Sequence, residues 1–185
     1  FHGGNKGTMN FDGFASYAGF NEYYGRDEYD NNKDYDGHWG IYDEPFLQYF
    51  AKKLNSFTQP FFAFEFTLSS HYPYHLPAHH QDKFPEGPLK IHRVVRYTDY
   101  SLKKFFETAS KMGWYNNTIF VIAADHPAQS VIPNTTIDYE NNDISVVDKQ
   151  KMRYYKNTSG RYSIPLMIFV PNDTLMVGTS SKTVQ

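Results

Sequence analysis

Cysteine is absent from the chain, which rules out disulfides and thiol chemistry within it. No apolar run approaches the roughly 20 residues that a membrane-spanning helix needs. Charge imbalance is also missing. The formal net charge is −2 and there is no Lys/Arg-rich tract, so nothing offers the electrostatic grip that a nucleic-acid backbone requires, and no nucleic acid is expected as a partner. What is abundant is aromatic: 16 Phe and 16 Tyr in 185 residues, within a hydrophobic content of 40%. That is enough apolar surface for a core dominated by rings. The chain opens on Phe1-His2-Gly3-Gly4 without an initiator Met, so we expect a piece of a longer protein.

Periodicity organises the rest. Residues 1–12 are rich in Gly and Asn and read as a loop, and residues 21–38 are a polar surface excursion. Asp43 reads as a helix N-cap with Pro45 tolerated in the first turn, and Phe46, Leu47, Phe50, Ala51, Leu54 and Phe57 share a face at helical spacing, predicting a helix near 44–57. A second helix is predicted near 92–112, with Val94, Val95, Thr98, Leu102, Phe105, Phe106, Ala109 and Met112 as its apolar face and Gly113 as its C-cap. Apolar runs at 61–68, 118–124 and 164–170 read as strands. Residues 75–90 read as a loop, and the polar stretch from Asn134 to Arg161 as a long loop or lid. Helix-length separations between strands call for parallel crossovers, hence an α/β fold with a mixed or parallel sheet.

The residues with chemistry to offer follow the strands. Asp125-His126 comes directly after Ile119-Phe-Val-Ile-Ala-Ala124, placing a hard oxygen ligand beside an imidazole at a strand's C-terminal end. In an open α/β sheet that edge is where ligands bind, and both side chains are ordinary ligands of divalent metals. A bare Asp-His pair is more simply read as a cap and a surface residue. What favours metal is a second polar cluster, Ser69-Ser-His71-Tyr-Pro-Tyr74, after the strand at 61–68, since parallel strands would bring His71 and Asp125-His126 to one sheet edge. Two ligands do not complete a catalytic metal site, and Asp43 and Asp99 are better read as an N-cap and a helix-face residue. His71 can bind an anionic oxygen or move a proton near neutral pH. Ser130, Asn5 in the Gly/Asn-rich loop, and Trp39 in the Tyr-rich stretch are candidate substrate contacts. His75, His79, His80 and His92 form no metal spacing on a defined element and read as solvated.

The segments Phe-His-Gly-Gly-Asn-Lys-Gly, Trp39-Gly-Ile-Tyr-Asp43, Leu68-Ser-Ser-His71-Tyr-Pro-Tyr, Tyr97-Thr-Asp99 and Asn117-Thr-Ile-Phe-Val-Ile-Ala-Ala-Asp-His126 resemble, in this order, the sulfatase-like enzymes of the alkaline phosphatase superfamily. The match is nearest to phosphoglycerol transferases of the lipoteichoic acid synthase type. The resemblance implies a three-layer α/β/α fold with a mostly parallel sheet, here incomplete. Residues 1–185 would be the C-terminal part of a catalytic domain, with the nucleophile-bearing N-terminal part and a final segment lying outside it. It implies Asp125 and His126 as metal ligands, His71 and His2 as catalytic residues around the transferred group, with His2 at the rim, and Ser130 as a substrate contact. Where the synthases carry an acidic residue, a Trp and an Arg after the first His, this chain has Gly4, Met9 and Phe11, so the bidentate phosphate clamp of an Arg is lost.

The function so implied is a metal-dependent phosphoryl-ester transferase of the bacterial cell envelope, forming a covalent intermediate on a Thr upstream of Phe1. One divalent ion is expected, Mn²⁺ first and Zn²⁺ second. Expected substrates are a membrane phospholipid or an envelope glycan, handled outside the cytoplasmic membrane by a membrane-anchored enzyme. The alternatives are a sulfuric or phosphoric ester hydrolase, or a non-catalytic glycan-binding module that keeps the fold.

Overall fold

Ring-rich helical faces and short extended segments build the molecule. The computed structural model describes residues 1–87, 89–127, 162–173 and 178. The chain divides into two units, Phe1–Tyr115 and Asn116–Gln185. The first is built around helices α1 (Phe11–Tyr17), α2 (Arg26–Tyr29), α3 (Asp43–Leu54) and α4 (Ile91–Ala109). The second carries strands β1 (Phe120–Ala123) and β2 (Leu166–Phe169).

Helix α3 forms as its spacing predicts. Phe46, Leu47, Phe50, Ala51 and Leu54 are buried, each large side chain contributing about 1.5–3 kcal/mol of transfer free energy as an upper estimate. Asp43 and Glu44 in the first turn and Lys52 and Lys53 in the last complement the helix dipole. Its partner is α4, against which Phe50 stacks on Phe105 with ring centroids 5.7 Å apart. The buried face of α4 is rotated from the predicted one. It runs through Val94, Tyr97, Ser101, Phe105 and Ala109, whereas Val95 is exposed. Tyr97 and Ser101 can be buried because their polar atoms are satisfied: the Ser101 hydroxyl donates to the Tyr97 carbonyl at 2.7 Å, and the Tyr97 hydroxyl accepts from the Glu44 amide at 3.2 Å. Gly113 is not the C-cap; α4 ends earlier, with the Ser110 amide bonded back to the Phe106 carbonyl.

The predicted strand at 61–68 is extended chain without a ladder. Among the described residues, one parallel bridge joins Phe66 to His2, flanked by the Phe66 amide donating to the Phe1 carbonyl at 3.2 Å. Phe62 and Phe64 are exposed.

The second unit contributes an antiparallel pair, which a mixed sheet accommodates. β1 and β2 are antiparallel, with Phe120 opposite Phe169 and Ala123 opposite Leu166. The predicted loop or lid from Asn134 to Arg161 lies outside the described residues.

Candidate active site

The Phe-His-Gly-Gly segment lies between two others. The His2 amide donates to the Tyr24 carbonyl (3.0 Å), the Arg26 amide to the Gly4 carbonyl (3.0 Å), and the Ile41 amide to the Gly3 carbonyl (2.9 Å). Glycine is required for this approach: a Cβ on Gly40 would stand 2.5 Å from the Gly3 carbonyl oxygen, and one on Gly4 2.6 Å from the His2 ring. His2 is buried (3% exposed). Its Nδ1 bonds the Tyr23 hydroxyl at 3.0 Å, and the rings of Phe11 and Phe66 lie 4.8 and 6.0 Å away. Burial pushes its pKa down to about 4, so the ring is neutral at physiological pH.

Trp39 is presented by a tight turn. Asp36 Oδ1 accepts the amides of His38, Trp39 and Gly40 at 2.7, 2.8 and 3.1 Å, and Gly37 supplies the left-handed residue at φ +87°. The Trp39 indole donates from Nε1 to the Tyr72 carbonyl at 2.7 Å, and its ring lies 4.1 Å from that of His71. His71 Nδ1 is 2.8 Å from the same carbonyl. A carbonyl only accepts, so Nδ1 carries the proton, and Nε2 of the neutral ring keeps its lone pair. A cavity of about 520 Å³ is lined by Gly37, His38, Trp39, Tyr72 and Pro73.

Asp43 holds the start of this loop. It is not an N-cap; Tyr42 occupies that position and Asp43 is the first helical residue, 1% exposed. Its Oδ1 accepts the amides of Leu68 and Ser69 at 2.8 and 2.9 Å, its Oδ2 accepts the Thr98 hydroxyl at 2.7 Å, and its own amide donates to Ser69 Oγ at 3.0 Å. Burial raises its carboxyl pKa, opposed by those same hydrogen bonds. One carboxylate thereby ties α3, α4 and the backbone just before His71.

In the second unit, Asp125 and His126 stand after β1, and both are exposed. Asp125 Oδ1 accepts the His126 amide at 2.9 Å. His126 Nδ1 is 2.8 Å from the Pro127 carbonyl, which again places the proton on Nδ1. The two atoms left over, Asp125 Oδ2 and His126 Nε2, are 3.3 Å apart. Ligands of one cation with bonds near 2.1 Å sit about 3.0–3.4 Å from each other, and a second partner for the non-ligating imidazole nitrogen is the usual companion of a metal-bound His. The pair fits a divalent ion.

The family model for sulfatases, described simply as Sulfatase, matches residues 1–184. The chain belongs to the sulfatase family. It is 30% identical over 141 residues to the lipoteichoic acid synthase-like YvgJ of Bacillus subtilis strain 168, covering 74% of this chain and 22% of that protein. To lipoteichoic acid synthase 1 of the same organism it is 30% identical over 137 residues, covering 71% and 20%. Among solved structures it resembles an alkaline phosphatase superfamily protein from Vibrio parahaemolyticus, with a TM-score of 0.64 at 25% identity over 92% of this chain and 37% of that one. It also resembles the lipoteichoic acid synthase LtaP of Listeria monocytogenes, with a TM-score of 0.69 at 21% identity over 94% and 43%. These neighbours establish the α/β fold of the alkaline phosphatase superfamily. The chain spans about a fifth of the length of the curated relatives it matches. No helix among the described residues is long and apolar enough to cross a membrane.

Sulfatase-family enzymes are metal-dependent and act on phosphoryl or sulfuryl esters. Against that chemistry the site residues divide. Trp39 and His71 are brought together, while His2 and Asn5 sit on the neighbouring Gly-rich segment, where Asn5 Oδ1 accepts from Arg26 Nη1 at 3.3 Å. Ser130 lies outside the described residues. Phe11 packs on His2, and Arg26 lies 3.6 Å over the Tyr35 ring. Sequence reading missed three residues. Asp43 was too good an N-cap, and Glu65 lay in an apolar run although its enclosed Oε1 lacks a partner among the described residues and burial pushes its pKa up to about 8. His80, read as solvated, is buried and paired with Glu44.

Proposed function

We propose that this chain supplies part of the active site of a divalent-metal-dependent phosphoryl-ester transferase of the bacterial cell envelope, similar to a phosphoglycerol transferase. The nucleophile would be a Thr upstream of Phe1, forming a covalent intermediate before transfer to a lipid or glycan acceptor, outside the cytoplasmic membrane. The observation that carries this is the contact between Asp125 Oδ2 and His126 Nε2, 3.3 Å apart, with the imidazole tautomer fixed by the Pro127 carbonyl. The likeness to lipoteichoic acid synthases supports transfer over hydrolysis.

When bound, the cation supplies positive charge for the developing oxyanion and favours deprotonation of a hydroxyl nucleophile. Asp125 and His126 would hold it. His71, its Nδ1–H fixed on the Tyr72 carbonyl and its ring braced by Trp39, offers Nε2 to the ester: protonated, it donates to an anionic oxygen or to the leaving group. His2 is neutral at pH 7, which limits it to hydrogen bonding and to setting the position of the Gly-rich segment. Asn5, Trp39 and Ser130 would contact substrate. Mn²⁺ suits the carboxylate and Zn²⁺ the imidazole. The isolated 185-residue chain, with two ligands and no nucleophile, would be inactive.

The test is turnover of a chromogenic phosphodiester by the intact protein with Mn²⁺, beside a matching sulfate ester. Phosphodiester turnover that falls at least a hundredfold in His71→Ala supports the assignment. Preferred turnover of the sulfate ester, or full activity in His71→Ala, would overturn it.

A further inference from the structure

His80 is the one imidazole of the 75–90 loop that the fold encloses. It closes the short 3₁₀ turn Ala78–His80, is 6% exposed, and packs among the rings of Phe84, Tyr97 and Tyr100 at 5.4–5.7 Å. Its Nε2 lies 2.7 Å from Glu44 Oε2. Its Nδ1 is buried with no partner among the described residues. The ring of His79, exposed, lies 4.2 Å from that of His80. One donor atom from each of Glu44, His79 and His80 falls within 4.8 Å of the others.

We propose that Glu44, His79 and His80 form a second divalent-cation site, separate in its ligands from Asp125 and His126 and selective for zinc-like ions. Two imidazoles and one carboxylate are the donor set that Zn²⁺ takes and that Mn²⁺ and Mg²⁺, which prefer oxygen, take poorly. The aromatic shell of Phe84, Tyr97 and Tyr100 excludes water from one side, and the exposure of His79 leaves a path in. The role is structural. Asp43 ties the backbone at Leu68 and Ser69 to α3. Its neighbour Glu44 would, through the cation, tie residues 79 and 80 to the same turn of α3. Consecutive residues of one helix thus pin both ends of the segment that carries His71. The proposal stands on this cluster alone and does not depend on the chemistry assigned to Asp125 and His126.

The test is a titration of chelator-stripped intact protein with ZnCl₂ in the presence of saturating Mn²⁺, followed by calorimetry. Wild type is expected to take up one Zn²⁺ equivalent that His79→Ala and Glu44→Gln bind at least tenfold more weakly. His79 is exposed, so His79→Ala decides the matter if Glu44→Gln fails to fold. With Co²⁺ as the probe, wild type should give visible absorption bands of low-symmetry coordination, and His79→Ala should lose them. Equal Zn²⁺ uptake by wild type and His79→Ala, or no uptake by wild type, would overturn the proposal.

Discussion

Removing the Asp43 carboxylate should cost more than any other single side-chain change in the first unit. Asp43→Ala strands two buried backbone amides, those of Leu68 and Ser69, and frees the Thr98 hydroxyl. A buried donor left without an acceptor costs about 1–3 kcal/mol. The two amides therefore bring the loss to about 2–6 kcal/mol, with the Thr98 hydroxyl able to rotate to another acceptor. Asp43→Asn is the informative control. Its side-chain carbonyl can still accept both amides, and its amide group can donate to Thr98 Oγ, while no charge need be buried. Because burial raises the Asp43 pKa, the neutral isostere avoids a desolvation cost, and its loss should stay within about 1 kcal/mol. The assay is urea unfolding followed by circular dichroism and by tryptophan fluorescence; the chain has only two Trp, one buried at Trp114 and one at Trp39 beside His71. A loss under 1 kcal/mol in Asp43→Ala, or equal damage from Asn and Ala, would refute the reasoning.

Two further outcomes follow from the site. The His2 pKa is pushed down to about 4 from an ordinary 6.5, so the unfolded chain takes up a proton that the folded one refuses. Stability from this group is full above about pH 6.5 and is lost as pH falls toward 4, by about 3 kcal/mol at about 1.4 kcal/mol per unit; the stability difference between wild type and His2→Gln should show that slope, and a flat difference across the window would contradict it. Trp39→Phe removes the indole bond to the Tyr72 carbonyl but keeps a ring on His71. It should cost about 1 kcal/mol, read as a roughly fivefold fall in kcat/KM on the phosphodiester, with Trp39→Ala falling further; unchanged kcat/KM in Trp39→Ala would remove Trp39 from the site.

Helix α3 was legible because local periodicity and burial agree there: every third or fourth residue from Phe46 to Leu54 is buried. The run at β1 was legible as a strand but not in its burial, since Ile119 and Val121 are exposed. Helix α4 was legible as a helix but not in its phase, since Tyr97 and Ser101 look polar until their hydroxyls find partners across the helix and on α3. The direction of β2 was not legible, because pairing depends on what joins two strands rather than on either strand. The Asp125-His126 pair could be found from its position after a strand. What no spacing reveals is that Pro127 fixes the tautomer of His126, or that Asp43 serves residues 25 and 55 positions away. His80 escaped notice because its burial depends on Phe84, Tyr97 and Tyr100 closing around it, which is a tertiary event.

The central claim is that Asp125 and His126 hold the catalytic cation. Its most direct test is anomalous diffraction from crystals of the intact protein grown with Mn²⁺, with metal content measured in parallel on Asp125→Ala. We expect an anomalous peak bonded to Asp125 Oδ2 and His126 Nε2, and loss of both bound manganese and phosphodiester turnover in Asp125→Ala. A manganese peak elsewhere with those two side chains free, or normal metal content in Asp125→Ala, would contradict it.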